Sequence, residues 1–355
     1  MFTEWEPATP RKSQRAARSS RYPVLTMRIF SGIQPTGRKH LGNYLGAIRQ
    51  YVAGQDGGES IFCIVDLHAT TVPYEPEELP RTVLDTTALL LAAGLDPERC
   101  ILFRQGDVKE HTELSWMLST VTAYGELSRM HQFKEKSRHQ RDFVSAGLFT
   151  YPILQAADIL AYQTDEVPVG EDQVQHLELA RDIARRFNSR YGETFVVPEH
   201  RIPQIAARVM DLQAPDKKMS TTAGTELGTV LVLDEPDEIR RKFAVAVTDS
   251  GRDIARQGDK PGVTNLIEIV AAVRGTEPDE IEKEYADASG YAGFKRDVGE
   301  AVIELLTPIR QRYAELRPDE AALGDLLAEG AERARAIASE TLELARQRMG
   351  IGSAT

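Results

Sequence analysis

Phe30-Ser31-Gly32-Ile33-Gln34-Pro35-Thr36-Gly37-Arg38-Lys39-His40-Leu41-Gly42-Asn43 runs from an apolar strand through a glycine-punctuated turn into the start of a helix. Glycines let a backbone approach a ligand closely. A helix N-terminus offers free N–H groups and a partial positive charge to phosphate. His40 and Asn43 are three positions apart and so share one helix face. Both are placed to donate to phosphate oxygens, and the stretch reads as a cradle for a nucleoside triphosphate.

The pattern on either side fits an α/β sheet. Met27–Ser31, Ser60–Val65 and Cys100–Arg104 read as strands, and Asn43–Val52 and Pro80–Ala93 as helices, the second ending at Gly94. Continuous apolar strands alternating with amphipathic helices predict a parallel sheet covered on both faces. Ligands in such sheets bind beyond the carboxyl ends of the strands, which is where the Gly32–Gly37 turn falls. Residues 107 to 190 read as helices interrupted by Gly125, Gly147, Pro152 and Gly170. A short strand and loop follow at Asp165–Asp172, and strand character returns at Phe195–Val197. Beyond Leu233 the spacing of Val298, Val302, Leu305 and Ile309, and of Leu323, Leu326, Leu327, Ala331 and Ala334, is helical. Pro308 predicts a kink or a stop in the first of these helices. The chain therefore divides into a basic tail (1–26), a Rossmann-like α/β catalytic domain (27–233) and an α-helical domain (234–355).

At 355 residues the chain exceeds what one core holds, roughly 250–300 residues. Cys63 and Cys100 are the only cysteines, which rules out a disulfide framework or a Cys-rich metal site and points to a reducing cytoplasm. No apolar run approaches the ~20 residues that span a bilayer, so no membrane role is expected. The net charge of −11 argues against wholesale coating of nucleic acid but leaves local basic patches open. One such patch, Arg11, Lys12, Arg15, Arg18 and Arg21, lies among Ser, Ala and Gln and reads as a solvated, disordered tail. It lacks the apolar core of a secretory signal. Met27 stands directly before the first strand and is a second possible start.

Far downstream lies Lys217-Lys218-Met219-Ser220-Thr221-Thr222. Cleaving a triphosphate needs cations that follow the leaving pyrophosphate, because charge builds there in the transition state. With the first motif and this lysine loop together, the chain resembles the class I aminoacyl-tRNA synthetases, most closely the bacterial tryptophanyl-tRNA synthetase family. The resemblance extends from Met27 to about Gly352. It rests on Ile29–Pro35, Gln132–Lys136, Thr150-Tyr151-Pro152 with Ala156-Ala157-Asp158, Val169–Gln173 and Ala246–Ser250.

The resemblance implies that His40, Gly42 and Asn43, with Gln34, Asp172 and Val209, bind ATP. It implies that Lys218 and Ser220 of the mobile loop act with Lys136 on the departing pyrophosphate. The family's second loop lysine falls on Thr221, so one phosphate-following charge is missing. For tryptophan, the resemblance implies that Asp158 accepts the indole N–H; indole is donor only, and a carboxylate is a strong acceptor. Tyr151 and Gln173 would hold the substrate's α-amino group, Phe30 and His68 would line the indole pocket, and Gln155 stands where relatives often place an apolar residue.

Asp66 and Glu171 lack metal-ligand spacing, so no protein metal site is expected and Mg²⁺ would arrive with ATP. No CxxC pair supports an iron–sulfur site. The implied partners are tRNA(Trp), tryptophan, ATP and a second copy of the chain in a homodimer. Two other readings stay open at this point: a tyrosyl-tRNA synthetase, and a paralogue that binds tryptophan or RNA without charging.

Overall fold

The computed structural model describes residues 27–131, 144–170, 173–201, 209–221 and 224–352. Its centre is a five-stranded, wholly parallel sheet built from β1 (Arg28–Ile33), β2 (Glu59–Ile64), β3 (Cys100–Arg104), β4 (Glu166–Pro168) and β5 (Glu199–Arg201). The spatial order is β3-β2-β1-β4-β5. The chain winds outward from β1 to β3 and then returns to the other side of β1. That reversal makes the carboxyl end of β1 the switch point where such sheets bind ligands, and the Gly32–Gly37 turn leaves β1 there.

Alternation along the strands sets the two faces. Phe62, Ile64, Cys100 and Leu102 join one buried cluster, while Ile61, Cys63, Ile101 and Phe103 join the other. The first cluster takes in the helix Leu79–Ala92. It continues without a break into the helices Pro236–Ala244, Pro261–Arg274 and Tyr291–Leu316. The second takes in the helices Glu110–Ser119, Ala146–Leu160 and Val174–Tyr191.

The last helix, Glu320–Met349, contributes to both. Leu323 and Leu327 sit in the first cluster; Ala331, Ala334, Ala338 and Leu342 sit in the second. Between them Gly330 lies so close to β3 that a Cβ on it would stand 1.9 Å from the Leu102 carbonyl oxygen. The helices between Pro236 and Met349 thus share their buried clusters with the sheet.

Three local expectations are corrected. Phe195–Val197 is not a strand; β5 begins at Glu199. The backbone of that segment is satisfied by side chains instead: Asn188 Oδ1 accepts from the N–H groups of Thr194 and Phe195, and Gln163 Oε1 accepts from Val196 N–H. Neither Pro152 nor Pro308 ends its helix, since Ala146–Leu160 and Tyr291–Leu316 run through them; of the kink or stop expected at Pro308, it is the stop that is corrected. Near Pro308 the Thr307 hydroxyl donates to the Ile303 carbonyl at 2.7 Å. The helix after the glycine turn also differs from a plain α-helix: Leu41–Asn43 passes into a π turn at Tyr44–Ile48 and then into Arg49–Gly54.

Candidate active site

His40 caps the helix that follows the glycine turn. Its Nδ1 accepts from the Asn43 N–H at 3.3 Å, while Asn43 Oδ1 accepts from the His40 N–H at 3.1 Å, a reciprocal capping box. An Nδ1 that accepts leaves the ring proton on Nε2, and the Asn43 side chain keeps its NH₂ group to donate. Burial, then the charges of Lys218 and Lys39, lower the His40 pKa from 6.5 to about 4, so the ring is neutral near pH 7. His40 therefore meets phosphate as a hydrogen-bond donor and not as a cation.

Lys39, which the motif reading passed over, closes the turn. Its Nζ donates to the Gln34 carbonyl at 2.7 Å and to the Thr36 carbonyl at 2.9 Å. Burial lowers its pKa to about 8. Gly37 has φ +68°, the left-handed region that a Cβ disfavours.

The lysine loop comes up against this turn. Met219 N–H donates to the Val209 carbonyl at 3.1 Å, and Met210 pairs with Lys218 in an antiparallel bridge. Val209 also touches the first motif: its Cβ is 3.4 Å from where a Cβ on Gly42 would stand. Asp211, buried, holds the loop base by accepting from the N–H groups of Gln213, Ala214 and Thr225. The segment 229–232 ties the two halves together. Thr229 Oγ1 donates to the Ser220 carbonyl, Leu41 N–H to the Val230 carbonyl, and Val232 N–H to the Lys39 carbonyl.

The result is a cleft of about 350 Å³ whose lining includes Gly32, Gln34, Arg38, Lys39, His40 and Asn43 on one side and Ser220 and Thr221 on the other. Gly42 and Val209, which approach each other, do not line it. Lys136 and Asp172 lie outside the described residues.

The tryptophan-site candidates are joined by a second set of contacts. Tyr151, Gln155 and Asp158 share one face of the helix Ala146–Leu160, at i, i+4 and i+7. Asp158 is 1% exposed. Its Oδ2 lies 2.8 Å from His68 Nε2; its Oδ1 accepts from Gln105 Nε2 at 2.7 Å and lies 2.5 Å from His111 Nδ1. Burial alone would raise the carboxyl pKa. The bonds to His111 and His68 outweigh it and hold Asp158 well below the usual carboxylate range. A carboxylate has about four acceptor positions, so three partners among the described residues leave one on Oδ2.

The network runs further in both directions. His111 Nε2 lies 2.5 Å from the Tyr162 hydroxyl, and the Tyr162 ring stacks on Phe30 with centroids 5.6 Å apart. His68 meets Tyr151 edge-on at 6.2 Å, and Tyr151 Oη lies 2.8 Å from His176 Nε2. Burial raises the Tyr151 pKa to about 12. Gln173 sits one turn before His176, at the start of the helix Val174–Tyr191. Phe30, His68, Tyr151 and Asp158 are thus brought into one connected set. His111, Gln105, Tyr162 and His176, which complete it, went unnoticed in the sequence. His111 did carry a signal, because it falls on the apolar face set by Val108, Leu114 and Leu118.

A parallel sheet whose first strand opens into a phosphate-type turn, faced across one cleft by a lysine loop, is the arrangement of an ATP-cleaving α/β enzyme. The chain belongs to the class I tRNA synthetases (W and Y), whose family profile matches residues 25–307. Tryptophan–tRNA ligase 2 of Streptomyces avermitilis is 50% identical over 326 residues, covering 91% of this chain and 96% of that protein. The crystal structure of tryptophanyl-tRNA synthetase from Mycoplasma pneumoniae superposes with a TM-score of 0.85 at 34% identity, covering 93% of this chain and 99% of that one. The enzyme from Campylobacter jejuni, complexed with ADP and tryptophan, gives 0.79 at 35% identity, covering 92% of this chain and all of that one.

Proposed function

We infer that the chain is a tryptophan–tRNA ligase: it activates tryptophan with ATP and transfers it to tRNA(Trp). The observation that carries the site reading is the cleft in which the Gly32–Asn43 turn and the Ser220–Thr221 loop face each other. A tryptophan carboxylate oxygen attacks the α-phosphorus of ATP, forming the acyl–phosphate bond. The bond from that phosphorus to the bridging oxygen breaks, and its electron pair leaves with pyrophosphate. A ribose hydroxyl oxygen of the tRNA terminus then attacks the acyl carbon, the bond from that carbon to the phosphate oxygen breaks, and AMP departs with the electron pair while its phosphate takes up the hydroxyl proton.

No side chain needs to act as nucleophile, so catalysis is positioning and charge stabilisation. His40 Nε2–H, the Asn43 amide and the Lys218 ammonium address the phosphates, with Ser220 at the cleft wall. Lys136, Gln34, Gly42, Val209 and Asp172 complete the proposed ATP site. The free acceptor position on Asp158 takes the indole N–H, with Phe30, His68 and Gln155 around the ring and Tyr151 and Gln173 toward the amino group. A buried carboxylate that expects one donor rejects analogues lacking it. Among the described residues no group of three or more His, Cys, Asp or Glu could hold a metal. Mg²⁺ is proposed to enter on the ATP phosphates, which hold it as hard oxygen ligands.

The helical segment 234–355 is proposed to recognise the anticodon, and the chain to act as a homodimer. Trp116 and Tyr124 are 74% and 75% exposed, and Phe149 packs on Tyr124 at 5.3 Å; exposed aromatics of this size support the proposed pairing with a second copy. Two buried free thiols, Cys63 and Cys100, fit a reducing cytoplasm.

The test is exchange of labelled pyrophosphate into ATP. Tryptophan-dependent, tyrosine-independent exchange is expected. Exchange driven by tyrosine, or none with tryptophan, overturns the reading.

A further inference from the structure

The lysine loop presents a neutral hydroxyl, Thr221, at the cleft wall beside the glycine turn. Its Oγ1 would stand 3.3 Å from a Cβ on Gly37. Pyrophosphate leaving through this cleft carries a growing negative charge that needs cations close by. Among the described residues, the cations that line the cleft come from the turn itself: Arg38 and Lys39. They differ in what they are free to do. The Lys39 ammonium is committed to the Gln34 and Thr36 carbonyls. Arg38 is exposed and makes no hydrogen bond or ion pair with any described residue.

The backbone that carries Arg38 is fixed on both sides. Gly37 turns before it, and Lys39 after it accepts from Val232 N–H while its Nζ staples the turn. An arginine so mounted presents a fork of donors matched to phosphate oxygens. The surroundings are already cationic enough that Lys218 and Lys39 contribute to keeping His40 uncharged.

We propose that Arg38, from the turn, supplies the pyrophosphate-following charge that Thr221 does not, so that one of the two catalytic cations has moved from the lysine loop to the glycine turn. Arg38 would act on the bond-breaking step written above, neutralising oxygens of the leaving pyrophosphate without exchanging a proton. The inference rests on the tryptophan–tRNA ligase reading.

The experiment compares wild type, Arg38→Ala, Arg38→Lys and the double variant Arg38→Ala/Thr221→Lys in tryptophan-dependent pyrophosphate exchange. Tryptophan affinity is measured separately by calorimetry as a check on folding. Arg38→Ala is expected to lower kcat by about tenfold or more with tryptophan affinity unchanged. Arg38→Lys should keep most of the rate, and Thr221→Lys should bring the Ala variant back to within about threefold of wild type. A wild-type rate for Arg38→Ala, or a loss that Thr221→Lys does not relieve, overturns the proposal. Absence of exchange in the wild-type chain overturns the ligase reading instead.

Discussion

Asp158 Oδ1 lies 2.5 Å from His111 Nδ1, and the other ring nitrogen of that histidine lies 2.5 Å from the Tyr162 hydroxyl. With its proton on Nδ1, His111 donates to the carboxylate and accepts from Tyr162 O–H. Burial raises the Tyr162 pKa well above its ordinary value, so that hydroxyl keeps its proton to donate. Asp158 is therefore oriented from behind, by groups placed to hold it as an acceptor.

Asp158→Asn tests that orientation. The amide offers one oxygen and adds two N–H donors opposite Gln105, His68 and His111, where donors already point inward. A lost charge-assisted bond costs about 1.5–3 kcal/mol, or about tenfold to a hundredfold in tryptophan affinity. Calorimetric titration with tryptophan and with a sulfur-for-NH indole analogue separates the effects. The loss should be confined to tryptophan, and equal losses for both ligands would refute an indole–Asp158 bond.

The His40 pKa gives a pH prediction. In the unfolded chain its pKa is near 6.5, against about 4 in the fold. Between those values the unfolded state binds a proton that the folded state does not. Its contribution to stability is therefore complete above about pH 6.5 and declines as the pH falls toward 4. His40→Asn keeps an N-cap residue and removes the titration. Denaturant midpoints measured across that range should fall less steeply for the variant, and identical slopes would show that His40 is not the source.

The sheet and its first helices were legible because apolar runs and glycines mark them directly. Cys100–Arg104 matches its strand residue for residue, and Gly94 ends the preceding helix region at φ +107°. What escaped depends on contacts between distant parts of the chain. Phe195–Val197 looks like a strand by composition, yet its hydrogen bonds go to Asn188 and Gln163. Gly330 looks like a weak point in a helix, yet the lack of a side chain there lets that helix reach Leu102. The site divided the same way. His40, Asn43 and Lys218 announce themselves by motif, whereas His111 and Gln105 stand 47 and 53 residues from the carboxylate they hold.

Gly330→Ala tests whether the last helix is integral to the sheet. Alanine favours a helix by about 1 kcal/mol over glycine, so propensity alone predicts stabilisation. A Cβ 1.9 Å from the Leu102 carbonyl oxygen must instead push the helix off β3. Overpacking against backbone should dominate, with a net loss of about 2 kcal/mol or more by denaturant unfolding. Increased stability would mean that the helix is not seated on the strand.

Lys242 offers the last test, because it holds the segment that joins the two halves of the cleft. Its buried ammonium donates to Asp234 Oδ2 at 2.6 Å and to the Thr229 carbonyl at 2.8 Å. Between those residues, Val230 and Val232 bond the backbone of Leu41 and Lys39, and Thr229 bonds Ser220. Lys242→Met removes the cation and leaves Asp234 buried with the Leu231 N–H as its remaining partner among these bonds. An uncompensated buried charge costs about 3–5 kcal/mol, whereas removing both members of such a pair is often nearly neutral. Lys242→Met/Asp234→Leu should therefore regain much of the stability lost by the single variant. Function should not follow stability, because in both variants the Lys242 anchor behind the 229–234 turn is gone and its backbone bonds to Lys39 and Leu41 alone remain to position it. The expected result is an exchange KM for ATP that stays raised in the restabilised double variant while tryptophan affinity is normal. A KM that recovers together with stability would show that Lys242 holds the fold alone and not the ATP cleft.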